Sequence, residues 1–274
     1  MNNTLYVHTI MAGCKESTGV SVESIQSLFD YASCNDFPED LVFGGWAYSD
    51  ELFNIVDGAI RAAASRFKYK GKVNIYRFKQ NYGKPHVVNS IVDKHADKYE
   101  YIMVCDHDII YNLAYGNMVN RAISVLKEQH RYTGLKACRI AFNQLLNQKH
   151  AMSAYENHAI ISDEDVFWGS SSSSIGHGCD VFNKESFIKI GGYDSNAGVF
   201  GPYNKMMASQ LTLNGMSSLM LDSVYVTHPL PYVEEYVNWK VAMVDTYGSR
   251  KAQGLPSDDI LASRMWDNVN KNSK

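Results

Sequence analysis

Five cysteines and six prolines are spread over 274 residues, so neither crosslinks nor frequent chain breaks organise this protein. Cys14, Cys34, Cys105, Cys138 and Cys179 show no CxxC spacing. That excludes a disulfide framework and a zinc-ribbon pattern, and it suits a reducing cytoplasm. An excess of one charge is also missing: 26 Lys and Arg stand against 29 Asp and Glu, a net charge of −3. Bulk attraction to nucleic acid or to an anionic membrane is therefore not expected. No stretch approaches the roughly 20 apolar residues that span a bilayer. Ile10 to Cys14 ends in the residues of a lipoprotein cleavage box, but no basic start or full apolar core precedes it, and a strand running into a loop is the better reading. A soluble protein without membrane insertion is expected.

What the chain does have is 45% hydrophobic residues, enough for a large core. Apolar runs and helical stripes alternate along it. Leu5 to Ile10 reads as a strand, followed by a Gly/Ser/Thr loop through Gly19 and a helix from about Val22 to Ala32. Leu41 to Phe43 is a second strand ending at Gly44-Gly45. Glu51 to Phe67 carries a 3.6-period stripe, Val73 to Phe78 is a third strand, and Pro85 to Ala96 is helical. Tyr101 to Cys105 forms a fourth strand, before a helix over Leu113 to Gln129. This order predicts an α/β fold, a mainly parallel, Rossmann-like sheet flanked by helices with right-handed crossovers. One domain over residues 1–230 with a C-terminal extension over 231–274 is expected.

The fourth strand ends abruptly in Asp106-His107-Asp108. Carboxylates are depleted in strands, and in open parallel sheets ligands bind beyond the strands' carboxyl ends. The pair either caps a following helix or faces water, or it binds a hard cation, Mg²⁺ or Mn²⁺, bridging the phosphates of a nucleotide. His107, between the acids, should point away. Asn81 and Gly83, with Asn89, precede this strand; Gly83 permits a tight turn before a helix whose first amides could face phosphate. Ordinary turn and cap chemistry explains both asparagines equally well. Phe187 and Gly191-Gly192-Tyr193-Asp194 follow, the glycines ending a short helix from Lys184 to Ile190.

In order and spacing these segments resemble the nucleotide-sugar glycosyltransferases of the GT-A fold, particularly the family 2 group. The family's Asn-x-Gly-x5-Asn segment matches Asn81, Gly83 and Asn89, its Asp-x-Asp matches Asp106 and Asp108, and its Gly-Gly-aromatic-Asp matches Gly191 to Asp194. The resemblance spans roughly residues 4 to 230. It implies a nucleoside-diphosphate sugar donor, a UDP-sugar first among them, and a hydroxyl-bearing acceptor: a glycan, protein, metabolite or, less favoured, a hydroxymethylated DNA base. His228, after the late strand Val224 to Thr227, falls where such enzymes place a third metal ligand; imidazole with carboxylates suits Mn²⁺.

Two departures from the family pattern stand out. Inverting members place a basic Asp after Gly-Gly-aromatic-Asp, and this chain has Tyr203-Asn204 there. An amide cannot take a proton at neutral pH. Asp194 or the Asp163-Glu164-Asp165 segment could replace the base, the reaction could retain anomeric configuration, or the chain could bind without turnover. Retention is the preferred reading. The second departure is Trp46, standing near where relatives hold the uracil ring with an acid; it either stacks on the base, with Tyr48, or belongs to the core. Two further segments have paired readings. The Ser162 to Gly178 stretch is a lid or a linker. The tail with Tyr236, Trp239, Arg250 and Lys251 is a flap over the diphosphate, with Arg250 on the donor, or a segment for homodimerisation. A nucleotidyltransferase is the rival enzyme class, but the loop from His8 to Gly19 offers it only Lys15.

Overall fold

The computed structural model describes residues 3–38, 40–127, 136–146, 149–150, 159–160, 166–168, 178–194, 207, 210–211 and 213–228. Thr4–Ala12 forms β1, Lys15–Cys34 α1, Asp40–Ala47 β2, Asp50–Arg66 α2, Lys72–Arg77 β3 and Gly83–His95 α3. Tyr101–Cys105 is β4, Ile110–Tyr111 β5, Met118–Lys127 α4 and Lys136–Leu146 β6. Short strands β7 (Lys149–His150), β8 (Ala159–Ile160) and β9 (Val166–Trp168) precede β10 (Cys179–Asn183), α5 (Lys184–Lys189) and β11 (Met216–Thr227).

The strands join in one sheet whose central order is β3-β2-β1-β4-β10-β6-β11. Of these seven only β10 runs against the rest, since it pairs antiparallel with both β4 and β6 while β11 lies parallel to β6. β1 lies between β2 and β4, so the chain order reverses there and opens a crevice beyond the carboxyl ends of β1 and β4. Asp106 follows β4 directly.

Helices cover both faces. On one, Ile25, Leu28 and Phe29 of α1, Val56 and Ile60 of α2 and Ala122 of α4 pack on Tyr6, Phe43 and Met103. On the other, Val87, Val88 and Ile91 of α3 and Phe187 of α5 pack on Leu5, Val42, Val104 and Phe182.

Three boundaries differ from the sequence expectation. The loop expected through Gly19 is helix from Lys15. Cys14 caps it, and Ser17 Oγ accepts from the Gly13 and Cys14 amides at 3.0 and 3.1 Å. Ser17, Thr18, Ser21 and Ser24 are buried there, so small hydroxyl residues take the place of the apolar stripe. The second strand does not stop at Gly44-Gly45 but runs to Ala47. A Cβ on Gly44 would stand 2.5 Å from Ile91 Cδ1, and one on Gly45 1.9 Å from the Ile10 carbonyl oxygen. The glycines let α3 and β1 come close; they do not end the strand. The helix expected from Leu113 begins at Met118, because Asn117 takes a left-handed φ of 57° before it and Leu113 is exposed.

Candidate functional site

β5 brings the site together. Its antiparallel pairing sets Thr227 opposite Ile110 and Val226 opposite Tyr111, so the next residue, His228, arrives beside the loop that follows β4. His228 Nε2 lies 3.2 Å from Asp108 Oδ2. α1 fixes this loop from below: Ser24 Oγ donates to the Ile109 carbonyl at 2.5 Å, and Ser27 Oγ accepts from the Tyr111 amide at 3.1 Å. The Asp106 amide donates to Gly178 at 2.7 Å, which ties the acidic turn to the start of β10.

Asp108 is 3% exposed, a carboxylate that burial would disfavour without cationic or hydrogen-bonding company. Donors on adjacent corners of an octahedron about 2.1 Å from a metal stand about 3 Å apart, which matches the Asp108–His228 spacing. The donor set of a hard oxygen and an imidazole also fits Mn²⁺. His107 departs from expectation. It is buried, with Nε2 3.8 Å from Asp108 Oδ2.

Asp106 is placed differently. Its Oδ1 is 2.6 Å from the ammonium of Lys84, in the first turn of α3. Among the described residues no group of three His, Cys, Asp or Glu side chains gathers as a metal cluster, so Asp106 does not close a triad with Asp108 and His228.

Around Asp106 lies a buried charged layer. Arg139 on β6 donates from Nη2 and Nε to Asp180 Oδ1 on β10, at 2.8 and 3.2 Å. Burial pushes the Asp180 carboxyl up from its ordinary value, and the Arg139 charge draws it back only in part. Tyr193 is buried beside them, its hydroxyl pushed up by burial and drawn down by Lys84.

Asn89 spans from α3 to the Gly-Gly-Tyr-Asp turn. Its Oδ1 accepts from the Tyr193 amide at 3.0 Å and its Nδ2 donates to the Tyr193 carbonyl at 2.6 Å. A Cβ on Gly192 would stand 2.5 Å from that Oδ1, and both Gly191 and Gly192 have positive φ, 83° and 70°. Asn89 thus serves the turn that presents half-buried Asp194. Asn81 Oδ1 accepts from the Gly83 amide at 3.2 Å, where Gly83 takes a φ of 78° to begin α3.

Trp46 is half-buried at the end of β2, edge-on to Tyr48, whose side chain is 74% exposed. The Tyr82 ring lies tilted at 38° to His86, with centroids 4.6 Å apart, and His86 also meets Phe78 edge-on at 5.9 Å. Asn204, Arg250, Asp163-Glu164-Asp165 and the C-terminal extension lie outside the described residues, as does most of the Ser162 to Gly178 stretch.

Sequence reasoning missed Lys84 and Arg139. Lys84 had a signal: with Val87, Val88, Ile91 and Val92 it occupies the i, i+3, i+4, i+7, i+8 stripe, so a cation stands on a core-facing line. Arg139 had a weaker one, an arginine inside the apolar run from Ala137 to Phe142.

The fold is that of the GT-A glycosyltransferases. A solved structure of GalNAc-T7 with UDP, GalNAc and Mn²⁺ superposes with a TM-score of 0.61 at 14% identity, over 97% of this chain and 54% of that one. Residues 1–349 of S. aureus TarS superpose with a TM-score of 0.55 at 12% identity, over 89% of this chain and 65% of that one. The chain spans about half to two thirds of the length of these proteins. No protein-family model and no curated protein matches the sequence. Among the described residues no helix is long and apolar enough to cross a membrane.

Proposed function

We propose that this protein is a metal-dependent glycosyltransferase, moving a sugar from a nucleoside-diphosphate donor, a UDP-sugar first among them, to a hydroxyl acceptor. The observation that carries the reading is the Asp108–His228 pair, 3.2 Å apart beyond the carboxyl end of β4 and beside the chain-order reversal. GalNAc-T7, which shares the fold, was solved with UDP and Mn²⁺, and this supports the donor and the ion.

Asp108 and His228 would hold the cation. When bound, that cation would neutralise charge on the departing diphosphate. The chain's own residues supply the rest. The first turn of α3 brings Lys84 to Asp106 at the crevice, its ammonium 2.6 Å from Oδ1. Trp46 and Tyr48 offer ring faces to the nucleotide base from the end of β2. The turn held by Asn89 sets Asp194 on the acceptor side. With Asn204 where an inverting relative has its base, the reaction proposed is a retaining one, and the acceptor is an alcohol of a glycan, protein, metabolite or hydroxymethylated base. Five free thiols suit a reducing cytoplasm.

Calorimetry with UDP-sugars tests this directly. Binding should require Mn²⁺ or Mg²⁺, should vanish in EDTA, and should be abolished in Asp108→Asn with the fold left intact. Equal affinity with and without the ion would refute the metal site. His228→Ala should raise the Mn²⁺ needed for half-saturation by a factor on the order of ten. The anomeric configuration of the product, read by NMR, decides between retention and inversion.

A further inference from the structure

Lys84 opens the stripe by which α3 sits on the sheet, and the four stripe positions after it are Val87, Val88, Ile91 and Val92. It is 6% exposed. A cation in the first turn opposes the helix dipole, and burying it adds a desolvation cost, so this arrangement persists only where an anion compensates. α3 has no acidic residue in its first turn. The compensation comes from across the sheet: the ammonium stands 2.6 Å from Asp106 Oδ1 and 5.5 Å from the centre of the Tyr193 ring.

The charges of the layer therefore pair off. Asp180 is held by Arg139 and Asp106 by Lys84, while Asp108 faces the imidazoles of His228 and His107. We infer that Lys84 is a positioning residue that reserves Asp106, holding this carboxylate out of the cation's coordination so that the divalent ion is taken by Asp108 and His228. The inference rests on the reading of the site as a divalent-cation site. The two acids of one triplet then have separate roles: Asp108 belongs to the ion, and Asp106 with Lys84 forms a neutral pair that adds no net charge beside it. An ammonium 2.6 Å from Asp106 Oδ1 also competes with a metal for the charge of this oxygen.

Mn²⁺ alone, titrated into the full chain and followed by EPR without nucleotide, separates the possibilities. Lys84→Met with Asp106→Asn removes both partners and leaves neither charge buried alone, so this double variant is expected to fold. Its Mn²⁺ affinity should stay within about threefold of the wild type, and a greater weakening would show that Asp106 is a ligand after all. Lys84→Met alone should bind Mn²⁺ about tenfold more tightly, because the released carboxylate can enter the coordination. An unchanged or weaker affinity in that variant overturns the inference, since a purely structural lysine would shift only the melting temperature. Lys84→Arg should keep the wild-type value. If the wild-type protein itself leaves the Mn²⁺ spectrum untouched, the metal reading fails and the inference falls with it; if it binds and the variants misbehave, the inference fails alone.

Discussion

Among the described residues, the buried polar groups on the face covered by α1, α2 and α4 are hydroxyls, thiols and an imidazole; on the face covered by α3 and α5, buried ions join the hydroxyls and a thiol. The first face joins Tyr6 to His8 and to Tyr111 by hydrogen bonds of 2.8 Å each, with Ser24 Oγ 3.5 Å from the other ring nitrogen of His8. Burial pushes the Tyr6 and Tyr111 hydroxyls up, so they remain protonated donors. The second face buries Lys84, Arg139 and Asp180 and half-buries Asp106. Neutral hydrogen bonds in a packed core hold strands in register at little cost, whereas buried ions are expensive and hold only as pairs. The difference places neutral hydrogen bonding on one side of the sheet and paired ions on the other.

Breaking a charged pair should have the largest effect. Arg139→Met leaves Asp180 alone in the interior and should lower unfolding stability by about 3–5 kcal/mol in urea titrations. Adding Asp180→Leu should recover most of that loss, and no recovery would mean that Arg139 acts through packing on Phe182 and not through charge. Gly45→Ala comes next. Its Cβ would meet the backbone of β1, so a loss of about 1–3 kcal/mol is expected, against less for Gly44→Ala, where the obstacle is the movable end of Ile91. A comparison of the two melting temperatures checks the order.

On the neutral face, Tyr6→Phe removes one hydroxyl shared by two partners and should cost about 1 kcal/mol without changing Mn²⁺ affinity. A changed Mn²⁺ affinity would show that the two faces are coupled.

The smallest expected effect is a pH slope. Burial lowers His86 and His95 from their ordinary value. On acidification the unfolded chain takes up these protons before the folded one does. Their contribution is therefore complete above about pH 6.5 and is lost as pH falls toward the lowered folded values. His86→Phe should flatten the change in melting temperature between about pH 7.5 and about pH 5.5. A slope identical to wild type would show that His86 does not contribute to it.

The two faces also differ in how legible they were. Alternation of apolar runs and helical stripes was enough to place β1, β2, α2, β3, α3 and β4, because each buries side chains at a single period. The start of α1 was hidden because serines and threonine line its buried side and periodicity counts them as polar. Gly44-Gly45 was read as punctuation, although close packing demands glycine inside a strand. The end of β4 was legible from the abrupt acidic residues after a buried run, and the end of β11 from the apolar run that His228 follows. β5 was not, since two residues carry no period, and it is β5 that brings His228 to Asp108. The charged layer escaped because its partners lie on α3, β4, β6 and β10, far apart in sequence. Its pairing is a property of the assembled sheet.

The hold of Asn89 on Tyr193 has a kinetic side. The two residues are 104 positions apart, and the loop between them contains β4, α4, β6 and β10. Contacts of such separation close late, after local helices and neighbouring strands have formed, because the entropy of closing the loop must be met first. The Gly-Gly-Tyr-Asp turn is therefore among the last parts of the molecule to take shape. A growing chain can build its parallel strands well before Gly192 and Tyr193 reach Asn89, so this turn takes its shape only with the completed sheet.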